Sequence, residues 1–376
     1  CIALSTTMLT SLPAFADDYV DEYQYYSTLD PNGEEYQEWK SNLASSAVSV
    51  PQNRMLKSIL KNNTLIANDY IEFNTASNGH YTIGTIGGNP NSSTDDNKKM
   101  LFGHPGGGTS KTTIVVGESI NEFTSSNVTY DADGSKSVSK ASYDGVDVTQ
   151  ELSIIENSAT GRDDVVKIKY IVKNDTEYAK QVGIRIMMDT MLGGNDAAPF
   201  RVNGSDVTTE TVYSGSNIPQ IWQAFDSATN PGVVAQGTFY KSGDRKPDKV
   251  QFTNWGNVTS TLWDYVTQPG RSNGDSAVSI TWNKDTFTSG ETREFVTYYG
   301  LSELEQNLIP PLALSVYADN KVSISNFNYD DINANVYLDN IGDGDATDVS
   351  IKITADNLEP KYGTSLTHNY SVIKPS

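Results

Sequence analysis

The sequence is short of the residues on which several functions depend. It has one cysteine, Cys1, in 376 residues, so no disulfide framework or cysteine-rich metal or redox centre can be built. Its three histidines, His80, His104 and His368, lie far apart, whereas zinc needs several converging ligands. Neither a Gly-x-Ser-x-Gly elbow nor a His-Glu-x-x-His pair is present, which leaves a serine hydrolase or zinc protease without a motif. No window approaches ~18 consecutive apolar residues, the length a helical membrane span requires. Positive charge is scarce too: 27 Lys plus Arg stand against 47 Asp plus Glu, a net charge of −20. Such a chain cannot neutralise a nucleic-acid backbone over a broad surface, and anionic lipid would repel it.

What is abundant is tyrosine (21) and glycine (29), with Ser, Thr and Asn beside them. This is the composition of an exported β-protein with a hydroxyl-rich face. The opening stretch, Ile2-Ala3-Leu4 through Met8-Leu9 to Pro13-Ala14-Phe15-Ala16, reads as the end of a secretory signal peptide over residues 1–16, with cleavage expected after Ala16. It lacks a basic n-region, so the sequence is expected to begin inside the signal; Cys1 would be removed with it. An extracellular or cell-wall-associated location follows from this reading. Residues 17–60 form an acidic, Tyr-rich leader in which Glu34 to Ala47 allows one short helix.

Over residues 61–307, short β-branched and aromatic runs alternate with turn signals. Runs include Thr112 to Val116, Val165 to Val172, Val182 to Met188, Val233 to Tyr240, Ala277 to Trp282 and Arg293 to Tyr299; Asp144-Gly145, Asn203-Gly204 and Ser242-Gly243 are among the turns. With almost no helical periodicity between them, the spacing predicts an all-β fold, a large antiparallel β-sandwich or supersandwich. In Val165 to Val172 the alternation places Lys167 and Lys169 on the solvent face, and in Ala277 to Trp282 it places Val278, Ile280 and Trp282 together on a buried one. Pro310-Pro311 marks a boundary. Residues 308–376 then read as a partial immunoglobulin-like sandwich, expected to continue past Ser376.

Gly106-Gly107-Gly108-Thr109-Ser110-Lys111 superficially suggests a phosphate loop, but Ser110 precedes Lys111 and a strand former follows where a helix should begin. A tight connection entered through His104-Pro105 is the better reading. Acidic loops carry more. Asp189, Asn195 and Asp196 surround the Gly193-Gly194 bend with hard oxygen ligands suited to calcium, the only cofactor the sequence points to. Asp339 to Asp345 and the group Asp131, Asp133 and Gly134 are further acidic loops, although Asp and Asn also favour turns for backbone reasons alone. Trp255 and Trp263 lie in Gly- and Asn-rich loop sequence and are the candidates for stacking on a sugar face; packing between sheets is the commoner use of tryptophan.

Three stretches together, Asp95 to Pro105, Val182 to Asp196 and Thr297 to Leu301, resemble an uncharacterised β-sandwich module of exported bacterial and archaeal surface proteins. The stretch Val336 to Val349 resembles the start of a CARDB-type immunoglobulin-like repeat, which implies cell-surface adhesion and spacing. The large sandwich is also analogous to the galactose-mutarotase type shared with several polysaccharide lyases, whose enzymes use histidines and a carboxylate on a concave sheet. His80 and His104 match no such motif, so that analogy stops at the fold. The function expected is a secreted or cell-surface, non-catalytic protein that binds an extracellular glycan or cell-wall polymer and carries spacer repeats. The alternatives are an extracellular carbohydrate-active enzyme, a polysaccharide lyase or glycoside hydrolase, and a purely structural surface-layer component.

Overall fold

The computed structural model describes residues 65–305 apart from 91, 132–134, 158–159 and 204, and then 312–318, 324–325, 328–329, 334–340, 345–353, 360 and 363–374. The expected signal peptide and leader, Pro310-Pro311, Asp133-Gly134 and the centre of the Asp339 to Asp345 loop lie outside the described residues.

The chain is all-β and its sheets are antiparallel. Strands β1 (Leu65–Ala67), β2 (Ile71–Thr75) and β3 (Tyr81–Thr85) make a small sheet of their own. The strands that follow are β4 (Lys111–Val116), β5 (Ser119–Glu122), β6 (Val128–Tyr130), β7 (Lys136–Tyr143), β8 (Val146–Asn157), β9 (Arg162–Asn174), β10 (Lys180–Asp189), β11 (Phe200–Val202) and β12 (Ser205–Val207). After them come β13 (Thr211–Ser214), β14 (Ile221–Phe225), β15 (Val234–Thr238), β16 (Lys249–Asn254), the single helical turn α1 (Trp255–Val258), β17 (Ser276–Phe287) and β18 (Thr292–Leu301). They divide into a six-stranded sheet, β13-β16-β17-β10-β4-β5, and a nine-stranded sheet, β12-β11-β14-β15-β18-β9-β8-β7-β6.

Alternation decides which face of each strand is inside. Val166, Ile168, Tyr170 and Val172 of β9 are buried, as are Ile184, Ile186 and Met188 of β10 and Val278, Ile280 and Trp282 of β17, and all belong to one core between the sheets. Lys169, on the opposite face of β9, pairs with Glu151 at 3.1 Å and Glu294 at 3.2 Å on the flanking strands. The predicted Asp144-Gly145 turn joins β7 to β8 with both residues in the left-handed region, φ 49° and 78°, the geometry a two-residue hairpin needs.

Two features fix the facing of the layers. Tyr170 of β9 shares its hydroxyl with Thr112 of β4 at 2.7 Å, across the sandwich, and accepts from Gln150 of β8 at 2.6 Å; a buried phenol without partners would be costly. The second is an aromatic row. Trp222, Gly237 and Tyr299 stand side by side on β14, β15 and β18. The indole lies over the glycine and stacks on Tyr299, with centroids 5.3 Å apart and rings 17° from parallel. It also meets Phe252 of the opposite sheet edge-on at 5.7 Å.

Beyond β18 lie β19 (Glu303–Glu305), β20 (Leu312–Ala318), β21 (Ile324–Ser325), β22 (Asn328–Tyr329), β23 (Ala334–Asn340), β24 (Ala346–Lys352) and β25 (Thr367–Ile373), in three small sheets. β20 rests on the outer face of the nine-stranded sheet: Ala313 packs with Phe225 and Val234, and Gln223 donates to Ser315 at 2.7 Å.

A Cβ on Gly237 would sit 2.0 Å from the Trp222 ring. Gly237→Ala is therefore expected to lower stability by about 1–3 kcal/mol, the usual cost of overpacking, and Gly237→Val by more. Urea unfolding checks this; an unchanged midpoint for Gly237→Val would contradict the packing described.

Candidate functional site

The outer face of the six-stranded sheet carries the residues that alternate with the core positions of β10: Gly183, Arg185, Met187 and Asp189. It is roofed by the chain between β16 and β17. Arg185 is the clasp. Buried in mid-strand, its guanidinium donates to the carbonyls of Thr261 and Trp263 at 3.1 Å and of Val258 at 3.0 Å. Burial pulls its pKa down to about 10, so it remains charged at neutral pH. Glu210 anchors the far end, accepting from the Tyr265 hydroxyl at 2.6 Å, from Thr253 at 2.9 Å, from Asn257 at 3.0 Å and from the Gln268 N–H at 2.6 Å.

This roof corrects the expectation of exposed tryptophans. Trp263 is only 9 % exposed, and its ring lies against Gly183, where a Cβ would come within 2.7 Å of it. Trp255 is partly buried against Met187, Val258, Tyr265 and Ala277. Loop composition suggested solvent; the side-chain-free seat at Gly183, a glycine inside a strand, was the signal pointing the other way. The glycine loop Gly106 to Gly108 leads directly into β4 and no helix follows it. His104 is buried, with Nε2 at 2.9 Å from Glu72 and Nδ1 at 3.1 Å from Thr82.

At one end of the same outer face, carboxylates meet. Asp189 closes β10 opposite Ala277, and Thr190 N–H donates to the Ser276 carbonyl at 2.9 Å. The Ser276 N–H reaches back to the Asp196 carbonyl at 2.8 Å. The pairing of β10 with β17 thus gathers Asp189, Asp196 and Asp275, with one oxygen of each within 4.8 Å of the others. Burial pushes the Asp189 carboxyl up to about 7, and the charges of Asp275 and Asp196 add to it against the hydrogen bond from Thr109. Burial likewise raises Asp196 and Asp275, with Asp196 repelling Asp275. Asn195, the other expected ligand, is tied into the loop. Its amide donates to the Asp226 carbonyl at 2.9 Å and its oxygen accepts from Ala197 N–H at 2.9 Å, both of which shape the loop. Asp275 was missed because it lies far along the chain; its position just before the Ala277 to Trp282 run, pairing with a strand that ends at Asp189, was the available clue.

A second feature lies where the sandwich meets β23. A hollow of about 660 Å³ is lined by Tyr213, Tyr240 and Tyr337, by the amides of Asn203, Asn217 and Gln220, and by Ser214 and Ser216, with Val212, Ile218 and Pro219 completing it. No charged side chain is among these lining residues. Tyr213 is held by an edge-on contact with Phe252 at 6.0 Å, and Lys246 covers one face of Tyr240 at 5.1 Å. Gln220 accepts from Asn335 of β23 at 3.2 Å, tying the two walls together. No sequence motif marks this hollow, because its tyrosines come from separate strands and turns.

No helix among the described residues is long and apolar enough to cross a membrane. No family model matches the chain, and no curated protein matches it in sequence. Among solved structures, the chain is similar to a polysaccharide lyase at 9 % identity and TM-score 0.36, over 76 % of this chain and 43 % of the lyase. It is also similar to a galactose mutarotase-related enzyme from Lactobacillus acidophilus, at 8 % identity and TM-score 0.32, over 64 % of this chain and 97 % of that one. A galactose mutarotase-like protein from Lactobacillus casei aligns at 10 % identity and TM-score 0.35, over 64 % of this chain and 99 % of that one. The chain spans less than half the length of the lyase. At these scores and identities the likenesses assign neither an activity nor a ligand.

Trp263→Ala is expected to cost about 3–5 kcal/mol, as for other buried tryptophans, and to open the roof between β16 and β17; hydrogen exchange would show protection lost at residues 258–265 while the nine-stranded sheet keeps its own. A pH effect follows from Asp164, whose side chain is fully buried. Burial raises it from 3.8 to about 6, outweighing its bonds to Thr160 and Asn157 and its ion pair with Arg162. The folded state therefore holds a proton that the unfolded state releases near pH 4. Stability falls as pH rises from about 4 to about 6, by roughly 3 kcal/mol from this group, and levels off above. Chemical denaturation across that window checks the slope, which Asp164→Asn should flatten.

Proposed function

We propose that this is an exported, non-catalytic glycan-binding protein whose ligand, a neutral glycan or cell-wall polymer segment, occupies the tyrosine-lined hollow. The observation that carries the reading is the chemistry of the lining. Sugars present apolar C–H faces beside hydroxyl edges; phenol rings suit the first, and their hydroxyls with the neighbouring amides and serines suit the second. The volume falls in the usual range for a small-ligand site, about 300–1,000 Å³. A hollow without a charged lining disfavours an acidic polysaccharide. No pair of carboxylates of the kind glycoside hydrolysis uses is among the lining residues. The strands from β20 onward are read as the start of an immunoglobulin-like, CARDB-type spacer repeat, holding the hollow away from its anchorage.

A glycan array with the full chain is expected to return neutral oligosaccharides. Tyr240→Ala and Tyr337→Ala should each weaken binding at least tenfold with little change in melting temperature, and Trp255→Ala, outside the hollow, should leave binding intact. Release of reducing ends or unsaturated sugars from a bound glycan would reject the non-catalytic reading, and binding that survives both tyrosine variants would reject the hollow.

A further inference from the structure

The carboxylate group at the end of β10 poses a physical problem that its own neighbours leave open. Three acids have oxygens within 4.8 Å of one another, and among the described residues none of the three forms an ion pair with a lysine or arginine. The buried oxygens add a separate observation. Asp189 is only 2 % exposed; Thr109 bonds to its Oδ2, while its Oδ1 is cut off from solvent without a hydrogen-bond partner. Oδ1 of Asp196 is in the same condition. An orphaned, buried carboxylate oxygen is destabilising unless something neutralises it.

We propose that Asp189, Asp196 and Asp275 bind a calcium ion that clamps the end of β10 to the entry of β17. The donors are all hard oxygens, with no imidazole or thiolate among them, which suits an alkaline-earth ion and not zinc. Calcium takes oxygens at about 2.3–2.6 Å, so ligands on opposite sides of it lie up to about 5 Å apart. Oxygens all within 4.8 Å of one another are compatible with that shell. Magnesium demands a near-octahedral shell of about 2.0–2.1 Å and gives up its waters reluctantly, so a cage of protein carboxylates suits it less well. Two of the ligands flank the Gly193-Gly194 loop and the third precedes β17, so the ion joins segments about eighty residues apart in the chain.

The test uses the full chain, stripped of metal with EDTA and titrated with calcium alone by calorimetry and thermal melting. One ion per chain and a melting temperature several degrees higher are expected, with a much smaller shift from magnesium at equal concentration. Asp196→Asn and Asp275→Asn should each weaken calcium binding at least tenfold. Glu118→Gln, at a side chain 98 % exposed, should leave it unchanged. Trp255 adjoins the site: its backbone N–H donates to the Asp275 carbonyl at 2.7 Å and its ring packs with Met187 and Ala277, so terbium bound there should show tryptophan-sensitised emission that calcium displaces and Trp255→Phe dims. This readout on the unmutated chain decides the matter even where an aspartate variant folds poorly. A chain with no calcium response and no sensitised terbium emission overturns the assignment, as does calcium binding that both Asp→Asn variants retain in full.

Discussion

The contact on which the sandwich depends is the indole of Trp222, laid over Gly237 and pressed between Tyr299 in its own sheet and Phe252 in the opposite one. Neighbouring strands bring three residues into one row, and only a glycine in the middle lets the large ring lie flat across it. The ring then sets the spacing of the layers at this end, as the Tyr170 hydroxyl with Thr112 and Gln150 does elsewhere. Apolar burial of this kind is the main favourable term for a chain without disulfides.

With the inner faces committed to the core, the outer faces are left for other work, and the two sheets use them differently. The six-stranded sheet has its outer face covered by its own chain, drawn down by Arg185 and Glu210. The nine-stranded sheet carries a ladder of Lys169 with Glu151 and Glu294 and gives another part of its outer face to β20. Glycine recurs wherever something large must approach a sheet closely, Gly183 beneath Trp263 and Gly237 beneath Trp222.

Much of the fold was legible from alternation and turn chemistry. The runs at Thr112, Val165, Val182, Ala277 and Arg293 are strands, with β17 continuing to Phe287, and the burial of Val278, Ile280 and Trp282 was read from their spacing. The long hairpin of β7 and β8 was harder to see, because sequences such as Lys136-Ser137-Val138-Ser139-Lys140 carry too few apolar residues to advertise a strand. In the Asp189 loop, two of the expected oxygen donors, Asp189 and Asp196, come together with Asp275, a neighbour that only strand pairing reveals. The tyrosine hollow left no trace at all, since Tyr213, Tyr240 and Tyr337 share no local pattern. Sequence periodicity reports which way a side chain faces within its own strand; it says nothing of which distant element arrives to meet it.

The placement of Tyr337 has a mechanical corollary. Two walls of the hollow belong to the large sandwich and one to β23, with the Asn335–Gln220 bond across the gap. Any molecule seated there would touch the large sandwich and β23 together, bridging segments far apart in the chain. Separating β23 from the sandwich would then have to break the occupant's contacts as well as the Asn335–Gln220 bond, so an occupied hollow would hold the two more firmly than an empty one.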